Sequence, residues 1–234
     1  MKRIGLLGGM SWESTAEYYR LANELVRERL GGFHSAEIVM VSVDFADIER
    51  LQMSGQWDEA GRLLAEHSRR LETAGADLLV LCTNTMHLLA SSIESATTVP
   101  FLHIADTTAA AVRSAGVERV GLLGTAFTME QDFYRDRIAS HGLEVVVPEA
   151  GDRADVHRII YEELVLGVVT EESRAIYRGV IDRLVEAGCR GVILGCTEIE
   201  LLVGAEDSPV PVFPTTRLHI AAAVDAALDV ALTH

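Results

Sequence analysis

Cys82, Cys189 and Cys196 are the most reactive side chains of this sequence, and two of them stand next to a threonine. Cys82-Thr83-Asn84-Thr85-Met86-His87 and Gly195-Cys196-Thr197-Glu198 each follow a short apolar run. So do Gly8-Gly9-Met10-Ser11-Trp12 and Gly124-Thr125-Ala126-Phe127-Thr128. A thiol can be a nucleophile, a metal ligand or a general acid/base. Its ordinary pKa of about 8.5 lets a helix N-terminus or polar neighbours favour thiolate at neutral pH. The hydroxyls, the amide and backbone N–H groups at helix starts suit a small polar ligand, a carboxylate first of all. Nothing here suits a large apolar one. A protease-like Cys–His dyad stays open, with His87 or His219 as its base.

Composition removes several other chemistries. Lys2 is the only lysine. A pyridoxal-phosphate enzyme needs a lysine at its active site, and a Walker A loop needs Gly-Lys-Ser/Thr. No G-x-G-x-x-G fingerprint is present either, so these three large enzyme classes are not expected. Three cysteines without C-x-x-C spacing form neither a disulfide framework nor a zinc site, and no metal is expected. Acidic residues outnumber basic ones 35 to 20, a formal charge of −15. That charge repels nucleic-acid phosphates and anionic membrane surfaces alike. Met1-Lys2-Arg3 is followed by a short, glycine-interrupted apolar stretch, so the reading is a cytoplasmic protein without a signal peptide.

The chain repeats itself once. Arg3–Gly9 recurs as Arg119–Thr125, with Gly5 matching Gly121, 116 residues on. His34–Val39 echoes His141–Val146 at 107, Ala74–Leu81 echoes Ala187–Leu194 at 113, and Val99-Pro100 echoes Val210-Pro211 at 111. Each match sits on an apolar run that reads as a strand. The runs are Ile4–Gly8, Ile38–Phe45, Asp77–Thr83 and Pro100–Ile104, then Val120–Gly124, Glu144–Val147, Gly191–Cys196 and Val210–Phe213. Ala60, Leu63, Leu64, His67 and Leu71 follow helical spacing. Ser14-x-x-Glu17 and Thr128-x-x-Gln131 read as capping boxes. Continuous apolar strands alternating with helices mean parallel sheets covered on both faces. The expected fold is α/β, with two pseudo-symmetric domains, each a four-stranded parallel sheet flanked by helices. The first takes 1–104 plus 212–234, the second 105–211, and a helix over Thr216–Leu232 packs back on the first. The site is expected in the cleft between them, outside the carboxyl ends of the strands. One reactive group from each half, facing across a pseudo-two-fold axis, is what inversion at a single carbon requires.

Together, Gly8–Thr15, Cys82–His87, Gly121–Thr128, Ile160–Leu164 and Gly195–Glu198 resemble the aspartate/glutamate racemase family along essentially the whole chain. The resemblance implies a cofactor-independent amino-acid racemase, an isomerase, usually a homodimer, with one proton-transferring residue from each half. Cys196 is the second-half residue. The gapless register through Ala74-Gly75 and Ala187-Gly188 places Thr83 opposite it, and Cys82 takes that place if the register slips by one. The family's catalytic cysteine precedes Asn-Thr, where this chain has Thr83. A threonine hydroxyl is a far weaker acid than a thiol, so Cys196 should be the main base and one enantiomer the better substrate. The resemblance also puts Asn84, Thr85, Thr125, Thr128, Thr197 and the backbone near Met10 on the substrate, and Gln52 and Glu198 are read as substrate-binding residues beside them. Members acting on acidic substrates use an arginine in the first half and a lysine after the Ile-Tyr-Glu stretch. Here Arg50 and Gln52 lie near the first place and Leu164-Val165-Leu166 at the second, so aspartate, glutamate or a broader set of amino acids fits.

Blander roles compete at each position. Cys82 and Cys189 suit a core. Gly8-Gly9 suits a tight turn as well as an anion contact, and Asn84 and Thr85 suit a helix cap. Glu198 can serve a helix dipole. His87, Trp12 and Trp57 suit packing. Two other functions remain beside the racemase: a cysteine-nucleophile isomerase or lyase acting on a small carboxylate, and an amino-acid-binding protein without turnover.

Overall fold

The computed structural model describes residues 1–228. The chain divides into two compact units, one of 1–103 with the segment from 219 onward, the other of 104–218.

The first unit runs β1 (Ile4–Gly8), α1 (Trp12–Leu30), β2 (Ile38–Ser42), α2 (Phe45–Met53), α3 (Trp57–Thr73), β3 (Leu78–Leu81), a 3₁₀ turn (Thr85–Leu89), α4 (Ala90–Glu94) and β4 (Phe101–Leu102). The second runs α5 (Ile104–Ser114), β5 (Arg119–Gly124), α6 (Ala126–Glu130), α7 (Asp132–Ala139), β6 (Glu144–Val146), α8 (Ala150–Glu162), a 3₁₀ turn (Leu164–Leu166), α9 (Glu171–Glu186), β7 (Val192–Gly195), α10 (Ile199–Leu202) and β8 (Val212–Pro214). Helix α11 (Thr215–Leu228) closes the described chain; the part of the expected helix beyond it, with the rest of 229–234, lies outside the described residues.

Each unit holds a parallel four-stranded sheet of the same order, β2-β1-β3-β4 and β6-β5-β7-β8. The expected two-sheet α/β architecture is therefore the observed one. The domain limits shift at two places, with residue 104 and residues 212–218 falling in the second unit. Residues 212–214 were assigned to the first domain, but β8 pairs with β7 through Val192↔Val212 and belongs to the second sheet.

The strands form because both faces of each sheet are covered. In the first unit Ile4, Leu6, Leu78, Val80 and Cys82 pack with Tyr18, Leu21 and Val26 of α1 and with Ile220, Ala223 and Val224. The alternate residues Leu7, Leu79 and Leu81 pack on Ile48, Leu51, Leu64 and Leu71. That two-residue alternation is the pleat. The helical stripe behaves as its spacing requires, with Ala60, Leu64 and Leu71 buried. Trp57 packs against this core, whereas Trp12 does not pack: it is 66% exposed on the first turn of α1.

The capping expectation is shifted by one turn in both halves. The N-cap of α1 is Ser11, accepting from the Ser14 N–H, and that of α6 is Thr125, accepting from the Thr128 N–H. Ser14 and Thr128 are thus third residues of their helices, which start sooner after the strand than the capping-box pattern suggests. Among the described residues no helix is long and apolar enough to cross a membrane.

His219 lies fully buried in the first unit. Its Nδ1 accepts from the Tyr18 hydroxyl at 2.9 Å and its Nε2–H donates to the Leu102 carbonyl at 2.8 Å. Burial, helped by His103, lowers its pKa from 6.5 to about 4. The folded state therefore refuses a proton that the unfolded chain accepts below about pH 6.5. Stability from this residue is complete above that pH and declines as pH falls toward 4, by about 3 kcal/mol in all. Urea unfolding at pH 7 and pH 4.5 should show that slope, flattened in His219→Phe; an equal slope in both proteins would contradict it.

Candidate active site

In each sheet the order reverses between its first and third strands, and ligands of parallel α/β sheets bind outside the carboxyl ends at such a reversal. In the first unit the reversal lies between β1 and β3. Their ends carry Gly8–Trp12 and Cys82–His87. In the second it lies between β5 and β7, whose ends carry Gly124–Thr128 and Cys196–Glu198.

Gly8 and Gly9 are dictated by crowding. A Cβ on Gly8 would fall 2.3 Å from the Thr15 side chain, and one on Gly9, at φ +92°, 2.2 Å from the Val43 carbonyl. The Gly9 N–H donates to Thr15 Oγ1 at 2.8 Å, and Thr15 Oγ1 donates on to the Ser11 carbonyl at 2.8 Å. The anion-contact reading of Gly9 therefore fails: its donor is consumed in building the turn. Met10 is buried beside it. Ser14 Oγ donates to the Cys82 carbonyl at 3.2 Å, which ties α1 to the end of β3.

Strand pairing supplies the register between the halves. Gly5 stands opposite Leu79, and its counterpart Gly121 stands opposite Val192. Leu79 therefore matches Val192, Cys82 matches Gly195, and Thr83 matches Cys196. The Cys82 side chain continues the Leu78–Val80 face into the core and is fully buried, and burial pushes its thiol far up. Thr83 and Cys196 are both half-buried. Asn84 is buried and Thr85 half-buried; Asn84 makes no side-chain capping bond to the turn it precedes. Gln52, also buried, places Nε2 3.0 Å from Met86 Sδ. Arg50 is exposed and pairs with Asp47 at 2.8 Å on its own helix.

In the second unit, Thr125 and Thr128 are buried with their hydroxyls 3.2 Å apart. Cys196 Sγ donates to Glu198 Oε2 at 2.9 Å, and the Thr197 and Thr216 hydroxyls lie 2.9 Å apart. Burial first, then the Glu198 carboxylate, raise the Cys196 pKa well above its ordinary value. The neighbours thus hold the thiol, the opposite of the thiolate that strand-end polarity suggested. Helix α10 spans only Ile199–Leu202, and a carboxylate precedes it. Leu164 is buried in the core with Ile160 and Tyr177.

The histidines expected to compete for a cysteine are engaged elsewhere. His219 is committed to Tyr18 and Leu102, and His87 Nδ1 lies 2.7 Å from the Thr83 carbonyl. Cys189 is buried in the second core. Two groups escaped sequence reasoning. His157 of α8 accepts from the Ala126 N–H at 3.2 Å, and helical pattern alone gave no sign of it. Thr215 Oγ1 donates to the Leu194 carbonyl at 2.9 Å beside Thr216. That hydroxyl pair directly after an apolar strand was a usable signal. Among the described residues no group of three or more His, Cys, Asp or Glu side chains is arranged to hold a metal ion.

Two parallel α/β units of one topology, each with hydroxyls at its reversal point and one with a thiol on a carboxylate, define a duplicated small-ligand fold. The chain belongs to the Asp/Glu/Hydantoin racemase family, whose sequence description matches residues 7–223. It is 54% identical to a provisionally assigned Asp/Glu racemase from Yersinia pestis, over 97% of this chain and 100% of that one, with a TM-score of 0.94. It is 35% identical to an aspartate racemase homologue from Pyrococcus horikoshii OT3, over 97% and 99%, with a TM-score of 0.87. Over 149 residues, 61% of this chain and 63% of the relative, it is 25% identical to the broad specificity amino-acid racemase RacX of Bacillus subtilis.

Proposed function

We propose that this protein is a pyridoxal-phosphate-independent amino-acid racemase that inverts Cα by proton transfer between Cys196 and Thr83. The observation that carries the reading is the Cys196–Glu198 pair at the end of β7, with Thr83 at the matching place in the first sheet. Family membership supports the reaction class.

At rest Cys196 is a thiol, because burial and the Glu198 charge both oppose ionisation. It therefore starts as an acid. To act as a base it passes its proton to Glu198 Oε2, 2.9 Å away. The substrate's ammonium group supplies the positive charge that favours the resulting thiolate. The thiolate takes the α-proton, and the Thr83 hydroxyl delivers a proton to the other face of the carbanion. Thr83 then regains a proton from solvent, and Glu198 releases the one it held to solvent, since Cys196 already carries the α-proton as its thiol hydrogen. In the reverse direction Thr83 would have to act as a base, which a hydroxyl does poorly. One enantiomer should therefore turn over faster.

Asn84, Thr85, Thr125, Thr128, Thr197 and the backbone near Met10 are proposed to bind the α-carboxylate and amino group. Arg50 is held by Asp47 on an exposed helix face, and Leu164 fills a core position. These placements favour a substrate range wider than the dicarboxylates. The assembly is proposed to be a homodimer.

The test is incubation in D₂O, without added cofactor, with L- and D-aspartate, glutamate and several neutral amino acids. Loss of the α-proton signal, unequal between enantiomers, is expected for at least one pair. Absence of exchange across the panel, with a substrate adduct on Cys196 by intact mass, would move the assignment to covalent chemistry.

A further inference from the structure

The first unit contains a cluster of buried histidines that proton transfer does not use. His87, His103 and His219 are all buried, with ring centroids 4.6 Å apart for His87–His103 and 5.6 Å for His87–His219. Phe101 lies against His87 at 5.5 Å. His87 is thus gripped by rings from β4, the residue after it, and α11. Its Nδ1 is 2.7 Å from the Thr83 carbonyl. A carbonyl only accepts, so Nδ1 carries the proton there.

This contact answers a local backbone problem. In a regular α-helix the Thr83 carbonyl would take the N–H of residue 87. Here that N–H goes to the Asn84 carbonyl at 3.1 Å, because the turn is 3₁₀. The His87 side chain replaces it. Thr83 also sits in a tight turn, its own N–H donating to the Leu81 carbonyl at 2.9 Å. At the matching place in the second unit the backbone suffices: the Ile199 N–H donates to the Cys196 carbonyl at 3.2 Å. Glu200 occupies the position equivalent to His87, in the 113-residue register. The two carbonyls are therefore met by different groups, that of Thr83 by a side-chain N–H and that of Cys196 by a backbone N–H.

We infer that His87 is a positioning residue for Thr83: its Nδ1–H, locked by the surrounding rings, fixes the Thr83 peptide and so the aim of the Thr83 hydroxyl. The inference rests on the racemase reading above. A residue that acts on the reaction through Thr83 should affect the half that Thr83 performs.

The experiment compares two rates in one sample: α-proton exchange of the enantiomer deprotonated by Cys196, and its inversion. Exchange needs Cys196 only, whereas inversion also needs Thr83. Asparagine places an N–H donor where the imidazole has Nδ1; glutamine and leucine do not. In His87→Asn, inversion should stay within about threefold of the wild type. In His87→Gln and His87→Leu it should fall at least about 30-fold while exchange stays within about threefold. An equal fall in both rates, or no fall in either, would overturn the positioning role. Where a variant does not fold, ¹⁵N-histidine spectra of the wild-type protein decide the contact, since His87 must appear as the Nδ1–H tautomer. An Nε2–H tautomer would overturn the inference with no variant at all. Wild-type protein that exchanges no substrate would remove the racemase reading and this inference with it, whereas exchange with an unchanged ratio in His87→Gln removes the inference alone.

Discussion

Cys196→Ala is expected to lower both α-proton exchange and racemisation by at least about 10³-fold, while Cys82→Ala leaves both within about threefold. The contrast follows from where each thiol sits. Cys196 is half-buried at a strand end with Glu198 Oε2 2.9 Å away, so it has a proton to give and a neighbour to receive it. In the proposed mechanism its removal takes away the group that accepts the α-proton. Cys82 is fully buried in the core that also holds Leu78, Val80, Tyr18 and Ile220, and burial keeps its thiol protonated. Its loss is a packing matter, costing about 1–2 kcal/mol from the removed sulfur and the small void left. Rates from D₂O exchange and polarimetry, with urea midpoints on the same samples, give both quantities. Loss of exchange in a folded Cys82→Ala protein would reverse the register argument and give Cys82 the place held here by Thr83.

Much of this arrangement was legible because it rests on patterns of short range. The duplicated Arg-x-Gly-Leu-Leu-Gly runs gave β1 and β5, and the apolar runs gave all eight strands to within a few residues. The Thr83–Cys196 register needed only a gapless comparison of the Ala-Gly segments, since a pleat alternates every residue. What stayed hidden depends on neighbours distant in sequence. The capping boxes misled because Ser14 and Thr128 were read without the tight turns that start both helices earlier. Trp12 reads as a packing residue, but the buried side of the first turn of its helix is taken by Ser14 and Thr15, and Trp12 itself stands exposed. The protonation of Cys196 was missed because strand-end polarity suggests thiolate, whereas desolvation and Glu198 decide it. His87 reads as an ordinary helix residue until its ring is seen at the Thr83 carbonyl.

Thr83→Ala should separate the two halves of the reaction most cleanly. Inversion is expected to fall about 10²- to 10⁴-fold, the usual contribution of a positioned general acid or base. Exchange of the enantiomer that Cys196 deprotonates should persist, because that proton leaves and returns on one face. Thr83→Ser keeps the hydroxyl and should retain most inversion. Thr83→Cys is the more informative change. A thiol ionises near pH 8.5, several units below an aliphatic hydroxyl, so it can act as a base as well as an acid. The enantiomer that the wild-type protein handles poorly should then gain rate, and the asymmetry between L and D substrates should shrink. The substitution is sterically modest, since Thr83 is half-buried and outside the Leu78–Val80–Cys82 core face. If Thr83→Ala lost exchange and inversion together, Thr83 would be holding substrate and not delivering a proton. If Thr83→Cys left the asymmetry untouched, its source would lie in substrate binding and not in the unequal acidity of the side chains at 83 and 196.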